Sequence, residues 1–345
     1  MRTVIVAWCK SNSIHFEQHI PLKFVGTRNE KLGFKTKIDI LFLEGYNLID
    51  KNYKIALKEL GYTLHDMNHI FSELEHKYEI LNQFGEYEKK CFLRWLVIKK
   101  YFLGEPIVHF DGDIVFNECP HTLSEKLNGK TFILQGCPAL TVISNPNWFH
   151  SYEEHLNLFA SDITGYSARA WEKRLEWKDA QKTWTGIRVR QIISSDQDLF
   201  RHLLHSNAIY QDELEVIKQG LDNYMLIENP LYLDVYYKNC TPFKYIRIGG
   251  IDFLNERKVA FWHMQSDFNK YLCNFMFRKQ YLSLLPLSRL ELTEQGIEYY
   301  FRKFLKKVMS EKKLSRIDTY RYFFEENDFS QLFSCRNWWQ KDVFQ

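Results

Sequence analysis

Two aspartates, Asp111 and Asp113, are separated by a single glycine within the stretch Ile107–Phe116. In an extended segment, residues i and i+2 point to the same side, so both carboxylates can face one ligand. Carboxylate oxygens bind hard divalent cations, and such a cation can neutralise the charge that develops on a departing phosphate. A carboxylate can also attack phosphorus directly as a nucleophile. The spacing therefore predicts either a cation clamp for phosphate groups or a nucleophile, and the surrounding elements must decide between them.

The residues before the two aspartates form the element that must position them. Ile107–Phe110 is short and apolar, and it follows the chain breaker Gly104-Glu105-Pro106, which is typical of a buried strand. The carboxylates then come at the carboxyl end of that strand. Open α/β sheets bind their ligands at this end, because the strand ends and the loops that follow them form a crevice there.

The first third of the chain alternates between strand-like and helix-like segments. Thr3–Ala7 and Lys37–Leu43 have the character of strands, whereas Asn52–Leu60 and Glu86–Phe102 have the periodicity of helices. Alternation of this kind predicts an α/β fold. Later segments predict strands at Thr131–Leu134, Leu140–Ile143, Tyr232–Tyr237 and Val259–His263, and a helix at Asp196–His205.

The segment Cys91–Phe102, followed by Ile107–Phe116, resembles the nucleotide-sugar glycosyltransferases of the GT-A fold. In that family a helix with a basic residue precedes a strand that ends in a metal-binding Asp-x-Asp motif. The resemblance implies a Rossmann-like mixed sheet flanked by helices, with the metal on Asp111 and Asp113 and with Arg94 near the phosphates or sugar of the donor. It also implies a donor contact for Asp111, through the ribose or a bound water. The alternative for Arg94 is structural, with its aliphatic stem packed among apolar neighbours.

A second match lies late in the chain, at Phe261–Lys270. It resembles the His-to-Lys segment of glycogenin and the bacterial lipooligosaccharide galactosyltransferases, in which the histidine completes the metal site and the lysine contacts the diphosphate. The resemblance assigns these roles to His263 and Lys270, although Ser266 stands where those families have glycine and one additional residue precedes the lysine. Oxygen ligands with one imidazole favour Mn²⁺, with Mg²⁺ as a substitute. A lone histidine at a strand end is otherwise a common structural residue.

A third match is Ser194–Phe200, which is similar to the Asp-Gln-Asp segment that borders the donor sugar and the acceptor in the same enzymes. It implies that Asp196, Gln197 and Asp198 belong to the catalytic region. The alternative is a helix cap, since Ser195 is followed three residues later by Asp198 and since acidic residues are favoured in a first helical turn.

The resemblance, together with the helical periodicity of the last part of the chain, predicts how the chain is divided. A GT-A catalytic domain would occupy residues 1–285, and a helical carboxyl-terminal extension would occupy residues 286–345. GT-A topology places the end of the first strand near the nucleotide base. That placement, without any residue signature, implies base contacts for Ala7, Trp8 and Asn12.

The extension has the pattern of a basic amphipathic helix. Apolar residues recur at helical spacing between Ile297 and Met309, whereas Arg302, Lys303, Lys306 and Lys307 occupy the other side. Such a helix either docks on the catalytic domain or contacts an anionic membrane surface or a phosphate-bearing acceptor. A segment rich in tryptophan and basic residues, between Thr164 and Arg190, could similarly line an acceptor site or only pack beside it.

Composition excludes several other classes. A net charge of +3 and a pI near 8.3 are too modest for a nucleic-acid-binding protein. The seven cysteines are scattered and never spaced as C-x-x-C, which argues against a disulfide framework or a zinc site and favours the cytosol. No apolar run approaches the roughly 18 residues of a membrane-spanning helix. We therefore expect a cytoplasmic protein whose membrane association, if any, is peripheral.

These observations predict a metal-dependent glycosyltransferase that moves a sugar from a nucleotide-sugar, with UDP favoured, to a glycan or glycolipid acceptor. Retention of the anomeric configuration is favoured over inversion. One alternative is a haloacid-dehalogenase-like phosphohydrolase, whose nucleophile motif also fits Phe110–Val115, although that motif normally follows the first strand of its fold. Another is a non-catalytic carbohydrate-binding protein, because 20 Tyr, 27 Phe and 9 Trp could supply stacking platforms for sugars.

Overall fold

A six-stranded mixed sheet flanked by helices forms the centre of the molecule. The computed structural model describes residues 1–175, 193–213, 223–227, 230, 243–266, 268–269, 272 and 316–326. The strands in these residues are β1 (Arg2–Trp8), β2 (Ile38–Glu44), β3 (Tyr62–Asp66), β4 (Ile107–Phe110), β5 (Ile114–Phe116), β6 (Phe132–Ile133), β7 (Leu140–Ile143), β8 (Tyr224–Met225), β9 (Tyr245–Ile248), β10 (Ile251–Leu254), β11 (Arg257–Val259) and β12 (Phe261–His263).

Helices cover both faces of this sheet. The α-helices in the described residues are α1 (Ser13–His19), α2 (Leu22–Lys31), α3 (Lys51–Glu59), α4 (Asn68–Lys77), α5 (Glu86–Phe102), α6 (Pro120–Lys126), α7 (Trp148–Ser161), α8 (Ile163–Leu175), α9 (Asp196–His205) and α10 (Arg316–Arg321). Short 3₁₀ turns lie at Tyr46–Leu48, Glu79–Gln83 and Leu134–Gly136, and a π-helical turn follows α10 at Tyr322–Glu326. Among the described helices, none combines the length and the apolar character that crossing a membrane requires.

The strand order β3-β2-β1-β4-β7-β6 places a switch point between β1 and β4. From β1 the chain adds β2 and then β3 as parallel neighbours on one side, and it returns to pair β4 parallel to β1 on the other side. Beyond β4, strand β7 is antiparallel to β4, and β6 is antiparallel to β7. A crevice opens where the strand order reverses, because the loops after β1 and β4 leave in opposite directions.

The side chains of the central strands alternate between two apolar clusters, one on each face of the sheet. Val4 and Val6 of β1 pack in the cluster that includes the apolar side of α5, and that cluster holds the fully buried Trp95. Ile5 and Ala7 pack in the opposite cluster, which also contains Phe323 from the π-helical turn. The described part of the carboxyl-terminal extension therefore belongs to the same core as the sheet.

An antiparallel ribbon of β5 and β12 joins distant parts of the chain. Phe261 pairs with Phe116 and His263 pairs with Ile114, and the amide of Met264 donates to the carbonyl of Asp113 at 2.9 Å. This register brings residue 263 beside residue 113. The ribbon thus positions two of the residues that the sequence predicts to share a metal.

Asn117, directly after β5, connects the ribbon to the small sheet of β8, β11, β10 and β9. Its side chain is fully buried, accepts from the amide of Asp252 at 3.0 Å, and donates to the carbonyls of Asp252 and Val259 at 2.8 Å each.

We expect Asn117→Ala to lower the free energy of unfolding by about 2–3 kcal/mol, because these peptide groups lose their partners in the interior. Urea unfolding measures the change. Asn128→Ala, at an exposed position, is the matched control, and equal stability of both variants would contradict the prediction.

The structure agrees with most of the strands and helices that the sequence predicts. β4, β7, α5 and α9 have the predicted bounds, and β1, β2, β6 and α3 differ from the prediction by one residue at each end. The predicted strand Val259–His263 is instead divided at Ala260 between β11 and β12, which belong to different sheets. The carbonyl of Ala260 accepts from the amides of Asn117 and Glu118, so the chain changes partners there. The predicted strand Tyr232–Tyr237 lies outside the described residues.

Candidate functional site

A cavity of about 680 Å³ opens at the carboxyl ends of β1 and β4, where the strand order reverses. It is lined by residues from β1, α1, α5, the loop after β4, the start of α9, the end of β12 and the start of α10. Seven residues that the sequence analysis singled out meet in its wall. They are Trp8, Arg94, Asp111, Asp113, Asp196, Gln197 and His263.

A carboxylate–imidazole cluster lies in this wall. Ligand atoms of Asp111, Asp113 and His263 all lie within 4.8 Å of one another, and Asp113 Oδ1 is 3.3 Å from His263 Nε2. Two neighbouring ligands of an octahedral cation with bonds of about 2.1 Å are separated by roughly 3 Å. The two carboxylates and the imidazole are also donors that suit Mn²⁺. The residues therefore fit a divalent cation in both spacing and chemistry.

A tight turn after β4 aims the two carboxylates. The amide of Asp111 donates to the carbonyl of Ala139 at 2.9 Å, and the amide of Ile114 donates back to the carbonyl of Asp111 at 3.2 Å. Between the aspartates, a Cβ atom on Gly112 would lie only 2.7 Å from Cγ2 of Ile20. The glycine is therefore required for the close approach of α1 and its following loop to this turn.

Arg94 connects the cluster to the helix behind it. Tyr87, Cys91 and Arg94 lie on one side of α5, at positions i, i+4 and i+7, and all three line the cavity. Arg94 Nη1 donates to Asp111 Oδ1 at 2.7 Å, and Nη2 and Nε donate to Asp196 Oδ2 at 2.8 Å and 3.1 Å. The guanidinium group thus faces the site, in contrast to the purely structural alternative for this residue.

Asp196 is buried and holds Arg94 in place. Its Oδ2 also accepts from the indole Nε1 of Trp95 at 2.9 Å. Burial disfavours the charged guanidinium, but the attraction of Asp196 and Asp111 outweighs this effect and raises the pKa of Arg94 well above its usual value. Arg94 therefore stays charged and fixed beside Asp111.

Arg316, at the start of α10, is a site residue that the sequence analysis did not single out. Its Nη1 lies 3.3 Å from Asp113 Oδ2 and 3.3 Å from the carbonyl of His19, and its Nη2 donates to Ser266 Oγ at 3.3 Å. Burial would raise the pKa of Asp113, but His263 and Arg316 lower it to about 2. Asp113 is therefore ionised at neutral pH, which is the form that binds a cation.

His109 lies under Asp111 on β4 and was also missed. Its imidazole is fully buried, Nδ1 donates to the carbonyl of Pro138 at 3.2 Å, and Nε2 lies 3.9 Å from Asp111 Oδ1. Burial and the charge of Arg94 lower the pKa of His109 to about 3. The imidazole is consequently neutral, and Arg94 rather than His109 supplies the positive partner of Asp111.

Three other predicted residues, all within the described part of the chain, do not line the cavity. Ala7 is fully buried in the core, and the side chain of Asn12 caps α1 by accepting from the amide of His15 at 2.9 Å. Asp198 accepts from the amide and the hydroxyl of Ser194, whereas the side chain of Ser195 makes no capping hydrogen bond. Lys270 lies outside the described residues.

Trp8 and Tyr87 form an aromatic pair in the cavity wall, with ring centroids 5.5 Å apart in an edge-to-face arrangement. Tyr87 is 60% exposed although it packs against Trp8. The amphipathic start of α5 indicates such an exposed side chain, but nothing in its local sequence indicates a role. Flat rings at a cavity wall can stack on a base or a sugar.

A second acidic group outside the cavity has a structural explanation. The carboxylates of Glu44, Glu75 and Glu86 also lie within 4.8 Å of one another. However, the ammonium of Lys89 is 2.7 Å from Glu75, and that of Lys90 is 2.9 Å from Glu44. Both lysines are buried, and each of the three carboxylates is ion-paired with at least one of them, which gives the cluster a structural role.

The chain matches no protein-family model and no curated protein. Its own motifs and the geometry of the cavity therefore carry the functional argument.

Proposed function

We propose that the protein is a metal-dependent glycosyltransferase of the GT-A fold, which moves a sugar from a nucleotide-sugar to an acceptor. One observation carries the proposal. The two carboxylates of the Asp-x-Asp motif and the distant His263 converge within 4.8 Å at the switch point of the sheet. Local sequence alone does not bring residues 113 and 263 together, and a helix cap or a surface acidic patch would not require the imidazole.

The charges of the cavity suit a diphosphate once a divalent cation is present. With His263 neutral, three carboxylates and two guanidinium groups carry one net negative charge, and a divalent cation reverses that sign. These charged residues are Asp111, Asp113, Asp196, Arg94 and Arg316. The cation, Mn²⁺ or in its place Mg²⁺, would act as a Lewis acid on the diphosphate leaving group. Arg94 and Arg316 would donate to its oxygens, and their fixed positions avoid reorganisation during the reaction.

The donor would extend from this cluster toward the aromatic pair. Trp8 and Tyr87 would contact the nucleotide base, for which UDP is the first choice, while Asp111 would contact the donor and Gln197 would face its sugar. In this arrangement Asp196 positions Arg94 and does not itself touch the sugar. The diphosphate would lie between the two arginines that flank Asp111 and Asp113.

The two aspartates of α9 bear on the stereochemistry. An inverting enzyme needs a carboxylate base within reach of the acceptor hydroxyl. The carboxylate of Asp196 already accepts from Arg94 and Trp95, and that of Asp198 accepts from Ser194. This engagement supports retention. Proton NMR of the product tests it, because an anomeric configuration opposite to that of the donor would contradict a retaining reaction.

The acceptor is proposed to be a glycan or a glycolipid, and the protein to act in the cytoplasm or at the inner face of a membrane. The acceptor would lie along the part of the cavity wall that α1 and α10 form. The basic helix of the extension and residues 176–190 of the tryptophan-rich segment, each of which could contact an acceptor or only pack on the catalytic domain, lie outside the described residues.

A thermal-shift screen tests the proposed function. UDP-sugars and GDP-sugars, each with and without Mn²⁺, should raise the melting temperature only when nucleotide and cation are both present, because a ligand stabilises the state that binds it. Turnover of simple phosphomonoesters without any response to UDP-sugars would instead support the dehalogenase-like alternative. That alternative is disfavoured because Asp111 follows the fourth strand in chain order.

Arg316→Ala should weaken the binding of UDP in the presence of Mn²⁺ by about tenfold, because a charge-assisted hydrogen bond contributes about 1.5 kcal/mol or more. Isothermal titration calorimetry measures the affinity. Arg321→Ala, on the exposed side of the same helix, is the matched control and should bind UDP normally. Equal affinities of the two variants would remove Arg316 from the donor site.

A further inference from the structure

A group of basic side chains also lines the cavity. Lys10 follows β1, His15 and His19 lie one turn apart on α1, and Arg316 faces them from α10. The guanidinium of Arg316 connects α1 to the carboxylate–imidazole cluster, since its Nη1 is 3.3 Å from both the carbonyl of His19 and the carboxylate of Asp113. The cavity therefore has an anion-attracting part beyond the carboxylate–imidazole cluster.

The two histidines are arranged to share one ligand. Their Nε2 atoms are 3.2 Å apart, and their ring centroids are 4.5 Å apart. At this distance the two nitrogens form a hydrogen bond, in which one ring donates its N–H and the other ring accepts it. An oxygen anion placed beside them can accept from both rings when both are protonated. The cap of α1, in which Asn12 accepts from the amide of His15, fixes the start of the helix that carries the pair.

No carboxylate in the described part of the chain forms an ion pair with Lys10, His15 or His19. Glu17, the acidic residue of α1, is turned away, and it accepts from the amide of Phe24 at 3.0 Å and from the hydroxyl of Tyr53. Burial, together with the charges of His15, Arg316 and Lys10, lowers the pKa of His19. A bound anion would offset the charges of Lys10 and Arg316 and would favour the protonated form of His19 beside them.

The donor does not account for this second group of basic side chains. The cation, Arg94 and Arg316 would already oppose the charge of a diphosphate, while Lys10, His15 and His19 line the same cavity outside the carboxylate–imidazole cluster. We propose that Lys10, His15 and His19 bind a phosphate ester carried by the acceptor. The inference rests on the proposed transferase function, and it narrows the acceptor to phosphorylated glycans or glycolipids.

Calorimetry with the full chain tests this site. With UDP and Mn²⁺ saturating the donor site, glucose 1-phosphate should bind the wild-type protein saturably, and His15→Gln/His19→Gln should weaken this binding by about tenfold or more. The affinity for UDP with Mn²⁺ should stay unchanged in that variant. His69→Gln/His76→Gln, a pair at exposed positions on α4, is the matched control. Lys10→Gln, outside any helix, should show the same selective loss and guards against a folding defect in α1.

A soluble sugar phosphate and a lipid headgroup both carry a phosphate ester, so a second binding experiment distinguishes them. Vesicles of phosphatidylcholine with phosphatidic acid are compared with vesicles of phosphatidylcholine alone. Binding of either phosphate probe that depends on His15 and His19 supports the site and identifies the source of the phosphate. Binding of neither probe overturns the proposal, and so does a parallel loss of UDP affinity, which would assign the histidines to the donor. If the wild-type protein fails to bind UDP with Mn²⁺, the proposed function is wrong. Titration of the same phosphate probes without UDP then still shows whether His15 and His19 bind phosphate.

Discussion

Replacing Asp113 by asparagine should reduce the Mn²⁺-dependent binding of UDP by about 100-fold or more. Loss of a residue that only supports a metal ligand costs 10–100-fold in affinity in other metal proteins, and loss of a ligand should cost at least as much. Asparagine keeps the shape of the side chain but removes the negative charge that faces His263 and Arg316. Isothermal titration calorimetry of Mn²⁺, with and without UDP, measures the effect.

Asp198→Asn is the matched control for this substitution. Asp198 is also an aspartate of a predicted motif, but it accepts from Ser194 and does not line the cavity. It should retain the affinity of the wild-type protein for Mn²⁺ and UDP. A circular dichroism melt shows whether Asp113→Asn is folded at the temperature of the titration. If the folded variant binds UDP and Mn²⁺ with wild-type affinity, the proposed cation site is excluded.

The place of the Asp-x-Asp motif could be predicted because two local signals agree there. A short apolar segment after a Gly-Glu-Pro breaker predicts a buried strand, and general topology puts ligands at the carboxyl end of such a strand. The structure has β4 with the predicted bounds, and the cavity lies at that end. The pairing of His263 with Asp113 depended on a resemblance between motifs, since sequence periodicity does not reveal which distant strands pair.

Arg316 could not be predicted, because its contact with Asp113 spans 203 residues and no motif surrounds it. Hydrogen bonds between the carboxyl-terminal segment and the small sheet create that contact. Arg247 donates to the carbonyls of Phe323 and Phe324 at 2.9 Å and 3.3 Å, which holds the turn after α10 in place. Patterns of hydrophobicity report which residues are buried, but they do not report the docking position of a terminal helix.

The Asp-Gln-Asp motif predicts a segment near the site, but it does not predict which of its two aspartates faces the cavity. Successive residues of a helix differ in direction by about 100°, so Asp196 and Asp198 point in nearly opposite directions once α9 begins at Asp196. Asp196 turns inward to Arg94, whereas Asp198 turns back to Ser194. The rotation of α9 about its axis determines which of the two aspartates faces the cavity. Tertiary packing of Leu199 and Phe200 sets that rotation, and the local sequence does not reveal it.

Replacing Arg94 by methionine should lower the free energy of unfolding by about 3–5 kcal/mol, because it leaves the carboxylate of Asp196 buried without its cation. Both side chains are almost completely buried, with 6% and 4% of their surfaces exposed. Methionine fills much of the space of the arginine stem, so most of the loss reflects the unpaired charge rather than a void. Urea unfolding followed by circular dichroism measures it.

Two further variants separate charge burial from a general effect of changing α5. Lys100, on α5 like Arg94, forms an exposed ion pair with Glu73 of α4. Lys100→Met removes that pair, and stability should change little because water already solvates both groups. Arg94→Met/Asp196→Asn removes both charges and should recover part of the stability that Arg94→Met loses. If the double variant is less stable than Arg94→Met alone, the carboxylate of Asp196 is stabilised by other groups, and Arg94 would then be retained for binding the donor rather than for balancing Asp196.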